Sequence, residues 1–161
     1  MDAGTGPLTV EIWSDVVCPW CYLGKHRFER ALASFDHRDQ VVVIWRSFEL
    51  NPEGRTASAP MAAQVARRYG VTVAQAESRL SAIDEVAASE GLELHLGATT
   101  GARTFDLHRL LHLAAASGRA EDLGAALFRA YFTEVRDVSN RQTLVDVVAE
   151  AGLDRQRPRA F

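Results

Sequence analysis

Cys18 and Cys21 are the two cysteines of the chain, and they stand three residues apart as Cys18-Pro19-Trp20-Cys21. On a helix, positions i and i+3 share a face, with Cα atoms roughly 5 Å apart, inside the range a disulfide spans. A thiol at the very start of a helix meets unpaired backbone N–H groups and the positive end of the helix dipole, and both favour thiolate over thiol. Pro19 suits the first helical turn, because its missing N–H would have no intrahelical partner there. The spacing therefore predicts a redox-active disulfide, with an activated nucleophile at Cys18 and a resolving thiol at Cys21. Cys18 attacks a substrate disulfide, Cys21 attacks the resulting mixed disulfide, and the reverse steps oxidise a dithiol. Trp20 brings no charge, so this pair is expected to be a milder oxidant than one with a cationic histidine at that position.

Other chemistry-bearing residues read more blandly. Asp15, three residues before Cys18, is placed to help move the proton of Cys21, as a buried carboxylate can. An aspartate in that position is more commonly a solvated turn or capping residue. A structural zinc site takes four ligands, and two cysteines with His26 fall short of that. Lys25 and His26 read as surface residues of the first helix. His108 and His112 are four apart on a leucine-rich segment without a third histidine or acidic partner, so they read as surface or hydrogen-bonded core histidines. No metal site is expected. Trp13, Trp20 and Trp45 read as apolar mass first, with Trp20 alone brought to the reactive surface by its motif.

The elements that must position the dithiol are legible from periodicity. Leu8, Val10 and Ile12 alternate with Thr9, Glu11 and Trp13, a strand period that Ser14-Asp15 ends. From Cys18 to about Phe35 the pattern turns helical, with Cys21, Gly24, Phe28, Ala31, Leu32 and Phe35 on one stripe. Val41-Val42-Val43-Ile44-Trp45 reads as a parallel strand buried on both faces. Strand, helix and strand within about 40 residues make a βαβ unit with an expected right-handed crossover. From Ser58 to Gly152 the chain reads as helices punctuated by glycine, with no third strand. Thr72 with Gln75 predicts a capping box ahead of Val73, Ala76, Leu80, Ile83 and Ala87, closed by Gly91. A second helix runs over 104–117 through Leu107, Leu110, Leu111 and Ala114 to Gly118. A third carries Leu123, Leu127, Ala130 and Tyr131. Ser139 with Gln142 predicts a second capping box before Leu144, Val147, Val148 and Ala151, closed by Gly152.

Composition bounds the rest. The 161 residues suffice for one domain with a real core, and 47% apolar with 24% charged residues is an ordinary globular balance. A net charge of −3 offers no basic footprint for nucleic acid or anionic lipid. The longest apolar run, 41–45, is far too short to cross a bilayer. The opening MDAGTGPLTVEIWSD has neither a basic n-region nor an apolar h-region, which predicts a cytoplasmic protein, where structural disulfides are rare. Two parallel strands leave unpaired edges, so marginal stability or a homo-oligomer formed through those edges is expected.

With these residues in view, Val10-Glu11-Ile12-Trp13-Ser14-Asp15 leading into Cys18-Pro19-Trp20-Cys21-Tyr22-Leu23-Gly24 resembles the opening of the DsbA-like oxidoreductases of the FrnE type. These are thioredoxin-superfamily proteins with a helical domain inserted in the fold. Phe48-Glu49-Leu50-Asn51-Pro52, Thr104-Phe105-Asp106-Leu107-His108-Arg109-Leu110, Leu127-Phe128-Arg129-Ala130-Tyr131-Phe132 and Glu150-Ala151-Gly152-Leu153-Asp154 are similar to the same family. The resemblance implies an α/β fold: a thioredoxin-like βαβ half over 1–52, an inserted helical domain over 53–138, and a returning helix with a short tail over 139–161. It also implies a C-terminal strand–strand–helix segment with a cis-proline loop, which is missing here, so a truncated family member is expected. The activity implied is reduction or isomerisation of protein or small-molecule disulfides in a reducing compartment, with glutathione as a reductant. Two other functions remain open. One is a glutathione-dependent isomerase of the 2-hydroxychromene-2-carboxylate type, whose members generally carry serine where Cys18 stands. The other is a helical interaction module whose dithiol no longer turns over.

Overall fold

The computed structural model describes residues 6–54 and 56–154. The closing tail and the first five residues of the N-terminal stretch read above lie outside the described residues. The βαβ unit forms as its periodicity predicts. Strand β1 (Leu8–Ser14) leads through a short turn into helix α1 (Pro19–Ala33), and strand β2 (Val41–Ser47) returns beside β1. The two strands run parallel, in register from Leu8 opposite Val41 to Ser14 opposite Ser47. That pairing sets the ends of both strands side by side where β1 hands the chain to the Cys18 turn.

Beyond β2 the chain is mostly helical. Helices α2 (Met61–Tyr69), α3 (Val73–Ser89), α4 (Phe105–Ala115), α5 (Ala120–Phe128) and α6 (Arg141–Glu150) follow in order. The capping box of α3 is present in both halves: Thr72 Oγ1 accepts the Gln75 N–H at 3.2 Å, and Gln75 Oε1 accepts the Thr72 N–H at 2.9 Å. Gly152, just past α6, sits at φ +74, and a side chain there would collide with the Arg119 guanidinium, which donates to the Ala151 carbonyl at 2.7 Å. The left-handed conformation is what favours glycine there.

One continuous core lies within the helical part, built from residues such as Leu107, Leu110, Leu123, Leu127, Val147 and Val148. Each such side chain contributes about 1.5–3 kcal/mol by burial. Val16, from the turn that precedes the dithiol, is part of that same core, and Val17, Cys21 and Tyr22 pack against it. The start of α1 is thus seated on the helical unit rather than on the sheet alone.

Several expectations are corrected. The buried residues of α1 are Leu23 and Lys25, while Gly24, Ala31 and Phe35 of the predicted stripe are exposed. Strand β2 is not buried on both faces: Val42 is exposed, as are Leu8 and Trp13 across the pairing, because helices cover the sheet only in part. Two further strands exist, β3 (Ala57–Pro60) and β4 (Thr100–Gly101), paired antiparallel. They are too short to carry an alternating pattern. Val73 is exposed although it opens the predicted stripe of α3. The cap of α6 is Asn140, not Ser139: Asn140 Oδ1 accepts the N–H groups of Gln142 and Thr143 at 2.8 and 3.3 Å, and the Ser139 hydroxyl turns to Asp137 instead. The predicted third helix is α5 followed by a π turn over Arg129–Thr133, closed by an i→i+5 bond from the Glu134 N–H to the Arg129 carbonyl at 3.0 Å.

Candidate active site

Cys18 is the N-cap of α1, with Pro19 in the first helical position. Its φ and ψ of −95 and 112 are extended, so its sulfur folds back over the first turn and accepts the Cys21 N–H at 3.3 Å. The Cys18 N–H is held in turn by the Asp15 carbonyl at 3.1 Å. Both thiols are free. Cys18 is 8% exposed, and Cys21 is the more accessible of the two.

The two thiols share a hydrogen bond, and that bond is the largest influence on both. It holds the Cys18 proton and pushes this thiol well up, with burial acting the same way. It draws Cys21 down to about 6, against burial, with the Asp15 N–H and the Ser14 hydroxyl as further donors to the Cys21 sulfur. The helix N-terminus by itself predicts the lowered value at Cys18. The difference arises because one remaining proton lies between two sulfurs, both served by backbone donors, so the pair ionises as a unit. It releases its first proton easily and keeps the second.

Asp15 is no solvated turn residue. It is 1% exposed, and it touches both cysteines through its backbone. Its Oδ2 accepts the Leu50 N–H at 2.8 Å, and its Oδ1 lies 3.4 Å from His108 Nε2. Burial works to raise its pKa, but His108, the Leu50 N–H and the Thr104 side chain outweigh it and hold the carboxyl below its usual value. His108 Nε2 also faces the Phe48 carbonyl at 3.2 Å. Since carbonyl and carboxylate both accept, Nε2 carries the hydrogen. Asp15 Oδ1 and His108 Nδ1 are buried without a formed hydrogen bond.

His108 is thus a core histidine, one of the readings offered for it, but its partnership with Asp15 was not legible. The i, i+4 spacing of Thr104 and His108 is the sequence signal for it, since it sets both on one face of α4. Trp20 is 54% exposed beside the dithiol. Tyr22 stacks on Phe128 at 4.9 Å and on Phe132 at 5.8 Å, so the π turn supplies one ring of the stack that holds the first turn of α1.

Lys25 is buried at 6% exposure, not on the surface. It pairs with Glu29, lies 3.7 Å from Glu121 and sits 5.4 Å above the Trp45 ring. Burial lowers its pKa, against Glu121. Lys25, Trp45, Ser47, His108, Leu111 and Phe128 line a cavity of about 90 Å³. His26 Nε2 lies 2.9 Å from the Glu90 carbonyl, and Arg27 and Arg30 bind the Glu90 carboxylate, tying α1 to the end of α3. His112 contacts the Ser47 hydroxyl at 3.0 Å. Among the described residues no group of three or more His, Cys, Asp or Glu is gathered as a metal would need, and no helix is long and apolar enough to cross a membrane.

Residues 9–161 match the family model described as the DSBA-like thioredoxin domain. The crystal structure of the probable DsbA oxidoreductase SCO1869 from Streptomyces coelicolor superposes with a TM-score of 0.87 at 44% identity, covering 95% of this chain and 66% of that one. The uncharacterized protein YwbO of Bacillus subtilis (strain 168) is 26% identical over 146 residues, which are 90% of this chain and 66% of that protein. The chain therefore spans about two thirds of the length of each.

Proposed function

The chain belongs to the DSBA-like thioredoxin family, and from that premise we propose that it works as a thiol–disulfide oxidoreductase in which Cys18 attacks and Cys21 resolves. The observation that carries this reading is the Cys18 sulfur at the N-cap of α1, accepting the Cys21 N–H. The pair gives up its first proton readily, and when the remaining proton passes across the shared bond to Cys21 the charge left on the Cys18 sulfur is met by backbone donors. The thiolate attacks a substrate disulfide, a Cys18–substrate disulfide forms, and the first substrate sulfur leaves as thiolate. Cys21 then gives up its proton and attacks the Cys18 sulfur. The intramolecular disulfide forms, and the second substrate sulfur leaves. Two electrons have passed from the dithiol to the substrate.

The Asp15 carboxylate is ionised, as an acceptor of the Cys21 proton must be, and it lies within electrostatic reach of Cys21. Pro19 opens the helix without wasting a donor, and exposed Trp20 offers an apolar surface to a peptide carrying the disulfide. Substrates are disulfides of proteins or small molecules, and a thiol such as glutathione regenerates the reduced pair. In a reducing compartment the reaction runs toward reduction or isomerisation. The opening motif supports the FrnE type within the family.

Reduction of insulin with glutathione as the electron donor tests the assignment. The native chain should precipitate the insulin B chain, Cys18→Ser should fall to background, and Cys21→Ser should accumulate a mixed disulfide visible by mass spectrometry. Turnover that survives Cys18→Ser would refute it.

A further inference from the structure

We propose that His108, on the helical unit, is a positioning residue for the dithiol, acting through Asp15. The proposal rests on the thiol–disulfide reading above and adds a residue from a distant part of the chain to it.

Asp15 touches both cysteines and the helical unit together. Its carbonyl accepts the Cys18 N–H at 3.1 Å, and its own N–H is directed at the Cys21 sulfur. Its carboxylate reaches α4, where Thr104 and His108 stand one turn apart. The His108 backbone N–H donates to the Thr104 carbonyl at 2.9 Å, so the first helical bond of α4 sets the two residues one turn apart on the same face. His108 Nε2–H donates to the Phe48 carbonyl at 3.2 Å with Asp15 Oδ1 beside it at 3.4 Å, and the Leu50 N–H holds the other carboxylate oxygen. Three segments meet at this carboxylate: the turn before Cys18, the chain after β2, and α4.

The chemistry of the donors gives the contact a direction. The Asp15 negative charge opposes a thiolate at Cys21. A donor aimed at that carboxylate offsets the charge, and by fixing the side chain it keeps the Asp15 N–H on the Cys21 sulfur. Both effects favour the anionic dithiol. Loss of His108 removes both. The partly satisfied contact, with Asp15 Oδ1 and His108 Nδ1 buried and lacking formed bonds, is costly for stability alone. A position selected only for packing would be filled better by an apolar side chain. The titratable groups arrayed around the pair are Asp15 in the turn, His108 from α4 and Tyr131 from the π turn, the last within electrostatic reach of Asp15.

The test follows the thiolate by its ultraviolet absorption against pH, alongside the equilibrium constant with glutathione and the melting of reduced and oxidised forms. His108→Ala should move the first thiolate midpoint upward by about one pH unit, a roughly tenfold loss of thiolate below the midpoint. It should make the disulfide correspondingly less oxidising, by about 30 mV per tenfold change. His108→Gln, whose amide can donate toward Asp15, should recover most of the shift. Thr104→Val, which keeps the side-chain volume, should move the midpoint the same way by less, whether or not His108→Ala folds. The inference is overturned if the midpoint and equilibrium constant stay at the native values in both His108→Ala and Thr104→Val, or in Thr104→Val alone should His108→Ala not fold. A native protein with an ordinary thiol midpoint would instead overturn the dithiol reading itself.

Discussion

A single proton held between two sulfurs sets what the reduced protein does at neutral pH. The pair carries one negative charge above about pH 6, where the Cys21 value lies, rather than near the ordinary thiol value of 9.0. Alkylation by iodoacetamide should therefore rise through a midpoint near 6, and a rise delayed to the ordinary thiol range would contradict the shared-proton geometry. The lowered value also favours the reduced fold. That contribution is complete above 9.0 and fades as pH falls toward about 6, whereas the raised Cys18 value adds stability that is lost only above 9.0. Between about pH 6 and 8 the reduced native protein should gain stability relative to a variant with both cysteines changed to serine. A difference that stays flat in denaturant titrations would sink the idea. At this scale the sequence exposed Cys18, Pro19 and Cys21 because their chemistry depends on local spacing. It did not expose Lys25, a charge that reads as surface until Glu29, Glu121 and Trp45 are seen to surround it, or His108, whose partner Asp15 lies far away in sequence.

Caps and ring stacks decide how firmly the elements hold the site. Thr72→Ala removes one half of the α3 capping box and should cost about 1 kcal/mol in urea unfolding, with the slope of the transition unchanged. Phe132, fully buried and stacked on Tyr22, is a larger support: Phe132→Ala should cost about 3–5 kcal/mol. A loss below about 1 kcal/mol for Phe132→Ala would mean that the π turn does not brace α1. The Thr72–Gln75 box was readable because four consecutive residues determine it. The α6 cap was misplaced by one residue because Ser139 and Asn140 are both good caps, and the side-chain amide that reaches Gln142 and Thr143 is decided by the turn at Asp137. Strand β4 has two residues, too few for any period, and it exists because Thr100 and Gly101 lie against β3. The π turn has no pattern of its own, since Tyr131 and Phe132 would serve a regular helix as well.

At the scale of the molecule, the dithiol sits where a half-covered two-stranded sheet meets a well-buried helical unit. Leu8, Trp13 and Val42 lie exposed on the described sheet. Apolar surface of this kind drives association. Sedimentation of the 161-residue chain should show a concentration-dependent increase in mass, which Val42→Lys should reduce; a monomer at all concentrations would count against it. The βαβ unit was legible because its periods are strong, whereas the exposure of β2 was not, because a run of apolar residues looks the same whether or not something covers it. Thiol–disulfide exchange at this site requires a reversible bond between Cys18 and Cys21. Equilibration of the native chain in glutathione buffers of graded potential, quenched with acid and read by mass spectrometry, measures that bond directly. The expected result is one two-electron transition between a dithiol form and a Cys18–Cys21 disulfide two hydrogens lighter, with glutathione adducts only as minor species. Thiols that persist under oxidising buffer, or that end as stable glutathione adducts without an internal disulfide, would contradict it.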